Sequence, residues 1–211
     1  MVEKFKTIKE PNKEEIVEKK SKFIANIFPV ENTDEAEKII KDIKKKYFDA
    51  RHNCVAYRII DNEQLIERSS DDGEPSGTAG APMLNILQKN QLVNVLIIVT
   101  RYFGGILLGT GGLVRAYSDS LLKVIESCNI TEKEIGYEVK VTIDYNNFEM
   151  FKYYCKNNNI NIVNTEYFEN IVCKIQLEEE KKEKLMEDYA SKKINLKNIE
   201  VLSKKYIEKS K

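Results

Sequence analysis

The chain has little of what most often announces chemistry: one histidine, four cysteines and four prolines in 211 residues. It also lacks a charge surplus, with 34 Lys plus Arg against 34 Asp plus Glu. Splitting the sequence at residue 130 does not uncover one, since 19 basic and 19 acidic residues precede the split and 15 of each follow it. Nothing global therefore steers the protein to nucleic acid or to an anionic membrane, and any such surface has to be a local patch. The longest apolar stretch, residues 92–99, is eight residues long and interrupted by Asn94, far short of the ~20 that a membrane span needs. The sequence starts Met-Val-Glu-Lys-Phe-Lys, without the apolar segment of a signal peptide. Cys54, Cys128, Cys155 and Cys173 lie far apart and form no C-x-x-C pair, which argues against a thiolate metal site and a disulfide framework. Four reduced, mostly buried thiols in a cytoplasmic protein are the expectation.

Glycine is also scarce, nine in all, but unevenly placed. Eight of the nine (Gly73, Gly77, Gly80, Gly104, Gly105, Gly109, Gly111, Gly112) fall between residues 73 and 112. Linkers or collagen-like chains would need far more, spread evenly. With 42% hydrophobic and 32% charged residues the chain can bury a core, and its length suits one large domain or two small ones.

Periodicity divides the chain near residue 130. Residues 15–29 read as a strand, with Thr33 as the N-cap of a helix carrying Ala36, Ile39, Ile40, Ile43 and Tyr47 on one face. Residues 54–60 and 64–69 read as a hairpin, 81–90 as a short helix, 92–100 as a buried central strand, and 113–127 as a helix. Beyond the division, Ile135, Tyr137, Val139, Val141, Ile143 and Tyr145 alternate as in a half-buried strand. Helix 146–158, strands 160–167 and 171–177, helix 178–190 and strand 199–207 follow. That order, βαββαβ, is the ferredoxin-like arrangement. The expected fold is α+β in two domains, residues 1–130 and 131–211.

The glycines mark two loops. The first runs Asp71-Asp72-Gly73-Glu74-Pro75-Ser76-Gly77-Thr78-Ala79-Gly80, acidic and rich in turn residues that also cap helices. The second follows the central strand as Arg101-Tyr102-Phe103-Gly104-Gly105, and Gly109-Thr110-Gly111-Gly112 then opens a helix bearing Arg115. A glycine-rich helix start presents free N–H groups, and arginine adds a forked donor for phosphate or carboxylate. Neither the P-loop nor the dinucleotide fingerprint is matched. Arg101 can equally form an internal ion pair with Asp71, Asp72 or Glu74, tying the loops together. His52, just before a strand, is more often structural than a base, since no G-x-S-x-G elbow supplies a nucleophile. The candidate ligand-binding set is His52, Asp72, Gly73, Glu74, Arg101, Tyr102, Gly104, Gly105, Gly111, Gly112 and Arg115, with no metal or cofactor expected.

At these loops the sequence resembles the IMPACT/YigZ family. The resemblance rests on Asp72-Gly73-Glu74-Pro75-x-Gly77-Thr78-Ala79-Gly80-x-Pro82, on the His52 segment, and on Val99-Thr100-Arg101-Tyr102-Phe103-Gly104-Gly105-x-x-Leu108-Gly109-x-Gly111-Gly112-Leu113-x-Arg115-Ala116-Tyr117. It implies an N-terminal α/β domain similar to the second domain of a small-subunit ribosomal protein. It also implies a C-terminal domain similar to the ferredoxin-like domains of elongation factor G. Eukaryotic members regulate translation with the help of an RWD domain, for which this sequence has no room; the bacterial type is the nearer match. Three functions follow as expectations. The first is binding of RNA or a ribosome-associated factor, using Arg101, Arg115 and a stacking Tyr102 or Phe103, with a basic tail of Lys192, Lys193, Lys197, Lys204, Lys205, Lys209 and Lys211. The second is an enzyme, or a small-molecule or nucleotide binder, using His52, Asp72, Glu74, Arg101 and the glycine loop, and the third is a protein–protein adaptor using the open face of the second sheet.

Overall fold

A computed structural model describes residues 2–209. The chain forms two compact units, Met1–Thr131 and Glu132–Lys211.

The first unit starts with β1 (Lys4–Ile8), in which Lys6 donates to the Gln91 carbonyl and accepts from Val93 N–H. β2 (Asn12–Glu18) and β3 (Ser21–Pro29) follow, then α1 (Thr33–Lys46), β4 (His52–Asp61), β5 (Gln64–Ser70), α2 (Gly80–Lys89), β6 (Val95–Tyr102) and α3 (Thr110–Glu126). The sheet order is β2-β3-β6-β4-β5, antiparallel at every pair. Strand β6 is its centre, which explains the unbroken apolar run Val95–Val99: both of its faces are covered. Leu96 and Ile98 pack with Ala36, Ile43 and Tyr47 of the α1 layer. Val95, Ile97 and Val99 pack with Met83 and Leu87 of α2 and with Leu113, Tyr117 and Leu121 of α3. Burying a large aliphatic side chain contributes about 1.5–3 kcal/mol, so this strand is the best-anchored element of the unit.

Two local readings change. Residues 15–29 form a hairpin rather than one strand, because Lys19 and Lys20 both adopt positive φ, 44° and 64°. That is the backbone of a two-residue turn matched to strand twist. No glycine or asparagine signals it; seven register pairs between β2 and β3 hold it in place. The N-cap of α1 is Asn32, whose Oδ1 accepts from Glu35 N–H at 2.8 Å. Thr33 instead bonds Asp61, through both its N–H and its hydroxyl.

The second unit holds β7 (Ile130–Ile143), which begins two residues before the unit's boundary, α4 (Phe148–Asn157), β8 (Asn161–Tyr167), β9 (Ile171–Leu177), α5 (Glu179–Ala190) and β10 (Asn198–Glu208). Strand β7 pairs antiparallel with both β9 and β10, and β8 pairs with β9. The order β10-β7-β9-β8 is the ferredoxin-like βαββαβ topology. Phe148, Phe151 and Cys155 of α4 and Leu185 of α5 cover one face, over Val139, Val141, Cys173 and Ile175. All four cysteines of the chain are free, with Cys54, Cys155 and Cys173 buried.

No helix among the described residues is long and apolar enough to cross a membrane. The cap assignment has a direct check. Asn32→Ala is expected to lower the urea-unfolding free energy by about 1 kcal/mol, and an unchanged midpoint would overturn it.

Candidate functional site

Alternation along β6 decides which side chains meet. Arg101 follows Val95, Ile97 and Val99 onto the α2/α3 face, where its register partners are Phe23 of β3 and His52 of β4. Tyr102 falls on the opposite face, where its hydroxyl donates to Asp49 Oδ1 at 2.7 Å. That hydrogen bond raises the phenol to about 12.

Arg101 is 6% exposed, so its permanent charge needs a partner inside the protein. Its Nη1 donates to Glu74 Oε1 at 2.7 Å, and its Nη2 reaches Ser21 Oγ at 3.4 Å. Tyr117 Oη donates to the same Glu74 oxygen at 2.9 Å, and Cys54 Sγ lies 3.3 Å from Tyr117 Oη. The Arg101 guanidinium also sits against the rings of Phe23 and Phe103, 5.4 and 5.6 Å from their centroids. Burial pushes the Cys54 thiol up to about 12, and also raises the Tyr117 phenol. Both are protonated at neutral pH and act as donors, not nucleophiles.

The acidic loop is held by its first residue. Asp71 Oδ1 accepts from Ala79 and Gly80 N–H, and Oδ2 from Gly77 N–H, at 2.8–3.0 Å. Helix α2 has no side-chain cap of its own at Ala79, so Asp71 caps it from eight residues upstream. Asp72 turns the other way: Oδ1 accepts from Lys44 Nζ and Oδ2 from Asn53 N–H, both at 2.7 Å. Its carbonyl oxygen lies 2.9 Å from His52 Nδ1. The second loop passes so close to the β2–β3 turn that a Cβ on Gly104 would lie 2.0 Å from the Lys20 carbonyl carbon. Only glycine fits there, and Gly104 N–H bonds Ser21 Oγ.

Between the two loops lies a cavity of about 400 Å³ lined by His52, Gly73, Glu74, Arg101, Phe103 and Gly109, with Arg51 and several leucines. Of the sequence candidates it gathers His52, Gly73, Glu74 and Arg101. Asp72 contributes its backbone to His52 and its carboxylate to Lys44. Tyr102 lies across the sheet. Gly104 and Gly105 shape the loop, Gly105 with φ of +84°. Gly111 and Gly112 lie in the first turn of α3. Arg115, with Gly112, faces a separate hollow of about 260 Å³ that also contains Glu18, Lys19 and Asp119. Its Nε bonds the Gly111 carbonyl. Among the described residues no group of three or more His, Cys, Asp or Glu is placed to hold a metal.

Three contributors escape a one-dimensional reading: Ser21, Arg51 and Tyr117; Asp71, read from the sequence as a cap or as a partner for Arg101, is the cap. Tyr117 left a signal, since a fully buried tyrosine needs a hydrogen-bond partner, but nothing in the sequence names Glu74 as that partner.

The fold and site define a two-domain α+β protein whose paired loops enclose a pocket around a buried Arg–Glu pair. Residues 19–125 match the Impact N-terminal domain, and residues 141–190 match a domain of unknown function, DUF1949. The IMPACT family member YvyE of Bacillus subtilis is 43% identical over 145 residues, covering 69% of this chain and 66% of that protein. The IMPACT family member YigZ of Escherichia coli is 33% identical over 162 residues, 75% of this chain and 78% of that one. A crystal structure described as that of a hypothetical protein aligns over 96% of this chain and 98% of its own, at 28% identity and a TM-score of 0.62. The chain belongs to the IMPACT family.

The loop anchor predicts a pH dependence. Burial acts to raise the Asp71 carboxyl, but the N–H groups of Gly77, Gly80 and Ala79 outweigh it and hold it below its ordinary 3.8. A depressed native value gives stability that is complete above the unfolded value and lost as pH falls through the native one. Asp71→Asn should therefore cost about 1–3 kcal/mol at neutral pH. Urea midpoints of variant and wild type should converge below about pH 4; a gap that stays constant with pH would refute the carboxylate's role.

Proposed function

We propose that the protein binds single-stranded RNA in the setting of translation, through the rim formed by the second glycine loop. The link to translation comes from the family resemblance; the contact chemistry comes from the rim. The observation that carries the reading is Phe103, 46% exposed, lining the cavity together with the exposed Arg51. The backbone of Lys20 adjoins Gly104 across the β2–β3 turn. Lys19, Lys20 and Arg51 are exposed and make no ion pair among the described residues. An exposed ring supplies a stacking face for any base, and flanking cations supply the phosphate term.

Arg101 has a different part in this reading from the one its sequence position invites. Its charge is committed to Glu74, so it supports the Phe103 ring from beneath instead of meeting phosphate. The lysine-rich tail also contributes less than its composition implies. Lys193, Lys197, Lys205 and Lys209 pair with Asp188, Asp144, Glu138 and Glu132, Lys204 lies over the Tyr137 ring, and Lys211 lies outside the described residues.

Fluorescence anisotropy with a labelled single-stranded RNA should show binding that weakens steeply with salt. Lys20→Gln and Arg51→Gln should each reduce the log–log salt slope by about one. Phe103→Ala should lower affinity by about 1–3 kcal/mol with the slope unchanged. No binding at about 50 mM salt would end the proposal. Co-sedimentation with ribosomes that survives nuclease treatment would replace it with a protein partner.

A further inference from the structure

The cavity between the loops has walls and a floor of different chemistry. Phe103, Leu107, Leu108 and Leu113 make apolar walls, with Leu107 82% exposed at the mouth. His52 and Glu74 make the floor. The Asp72 carbonyl beside His52 Nδ1 can only accept, so Nδ1 carries a proton, and in the neutral ring Nε2 is then the acceptor. The nearest carboxylate oxygen to Nε2, Glu74 Oε1, is 4.0 Å away, beyond hydrogen-bond length. Glu74 takes the bonds from Arg101 and Tyr117 on Oε1, and among the described residues its Oε2 accepts none. Two acceptors at the base of an apolar slot select for N–H donors.

A third side of the cavity is the start of α3, where Gly109 and Thr110 line it. The N-cap Gly109 has φ of +72° and no side chain with which to cap, so the first N–H groups of a 17-residue helix are left for an external acceptor. A second, independent feature of the same cavity is Glu74, 8% exposed, which bonds through Oε1 alone among the described residues. Arg51 adds an exposed cation at the mouth. The volume, about 400 Å³, lies in the range of small-molecule sites.

We infer that this cavity binds one nucleotide, a nucleoside monophosphate whose base carries an exocyclic amino group. The base lies in the slot against Phe103 and donates its amino N–H to His52 Nε2 and Glu74 Oε2. The phosphate meets the N–H groups that open α3, with Arg51 alongside. The inference deepens the RNA reading, because the same cavity takes one unstacked residue of a strand, yet it stands or falls with free nucleotides.

The test is calorimetric titration of the full chain with AMP, CMP, UMP and inorganic phosphate. AMP and CMP should bind at millimolar concentration or below. UMP, which has no amino group, should bind about tenfold more weakly, and phosphate more weakly than any nucleotide. Two variants probe the two ends of the ligand. Phe103→Ala should lower AMP affinity about tenfold or more. Thr110→Glu places a carboxylate at the first residue of α3, where it favours the helix and repels the phosphate, so it should abolish AMP binding without lowering the melting temperature. Absence of AMP and CMP binding, equal affinity for UMP, or AMP binding untouched by both variants would each overturn the assignment. Single-stranded RNA titrated in parallel separates the two readings: RNA binding without AMP binding removes the nucleotide site alone, and AMP binding without RNA binding removes the RNA reading alone.

Discussion

Arg101 brings a permanent positive charge to the end of the central strand, at a point covered by loops from both sides. A guanidinium there is tolerable only if a carboxylate comes to meet it, and the carboxylate is Glu74, from a loop 27 residues earlier. Removing one partner of such a pair typically costs about 3–5 kcal/mol, because the other charge is left buried and unpaired. The pair consequently holds the acidic loop against β6. Tyr117 adds its hydroxyl to the same oxygen and brings in α3, while Ser21 bonds both Arg101 and Gly104 and brings in the start of β3. Four separated stretches of chain are thereby gathered around one side chain.

The two glycine loops meet the demands of that arrangement differently. The acidic loop is a closed structure: Asp71 satisfies three of its own downstream N–H groups, and Asp72 is tied to α1 and β4. The second loop is open. Beyond Gly104, pinned by the Lys20 backbone, it carries Phe103, Ile106 and Leu107 at the surface and ends in an uncapped helix start. A rigid polar floor under an exposed apolar rim is the arrangement of a recognition site, since the floor can hold its geometry while the rim covers what enters. The family match over residues 19–125 takes in both loops.

The second unit has another logic. Its helices cover one face of the sheet that its strands β7–β10 form, and many of its lysines pair with its own carboxylates. Surface pairs of this kind contribute little to stability, about 0–1 kcal/mol each. Their effect here is on the field: they remove most of the positive patch that the last twenty residues appear to carry in one dimension.

Much of the fold was legible in the sequence because burial imposes periods. The both-face burial of β6 makes an unbroken apolar run, the alternation in β7 and β9 marks a sheet covered on one face, and the stripe from Ala36 to Tyr47 marks a helix on a sheet. The β2–β3 turn was not legible, since two lysines at positive φ are chosen by strand pairing and not by their own preference. The site divides along the same line. The sequence by itself determined that eight glycines and two arginines cluster in two loops, and those motifs identified the family. Only the tertiary structure decided that Arg101 faces Glu74 while Tyr102 faces Asp49, that Arg115 belongs to a different hollow, and that His52 joins the pocket. The reason is physical: a side chain's partner is set by strand register and by which face of the sheet it occupies, and both are fixed by contacts between segments far apart in the chain.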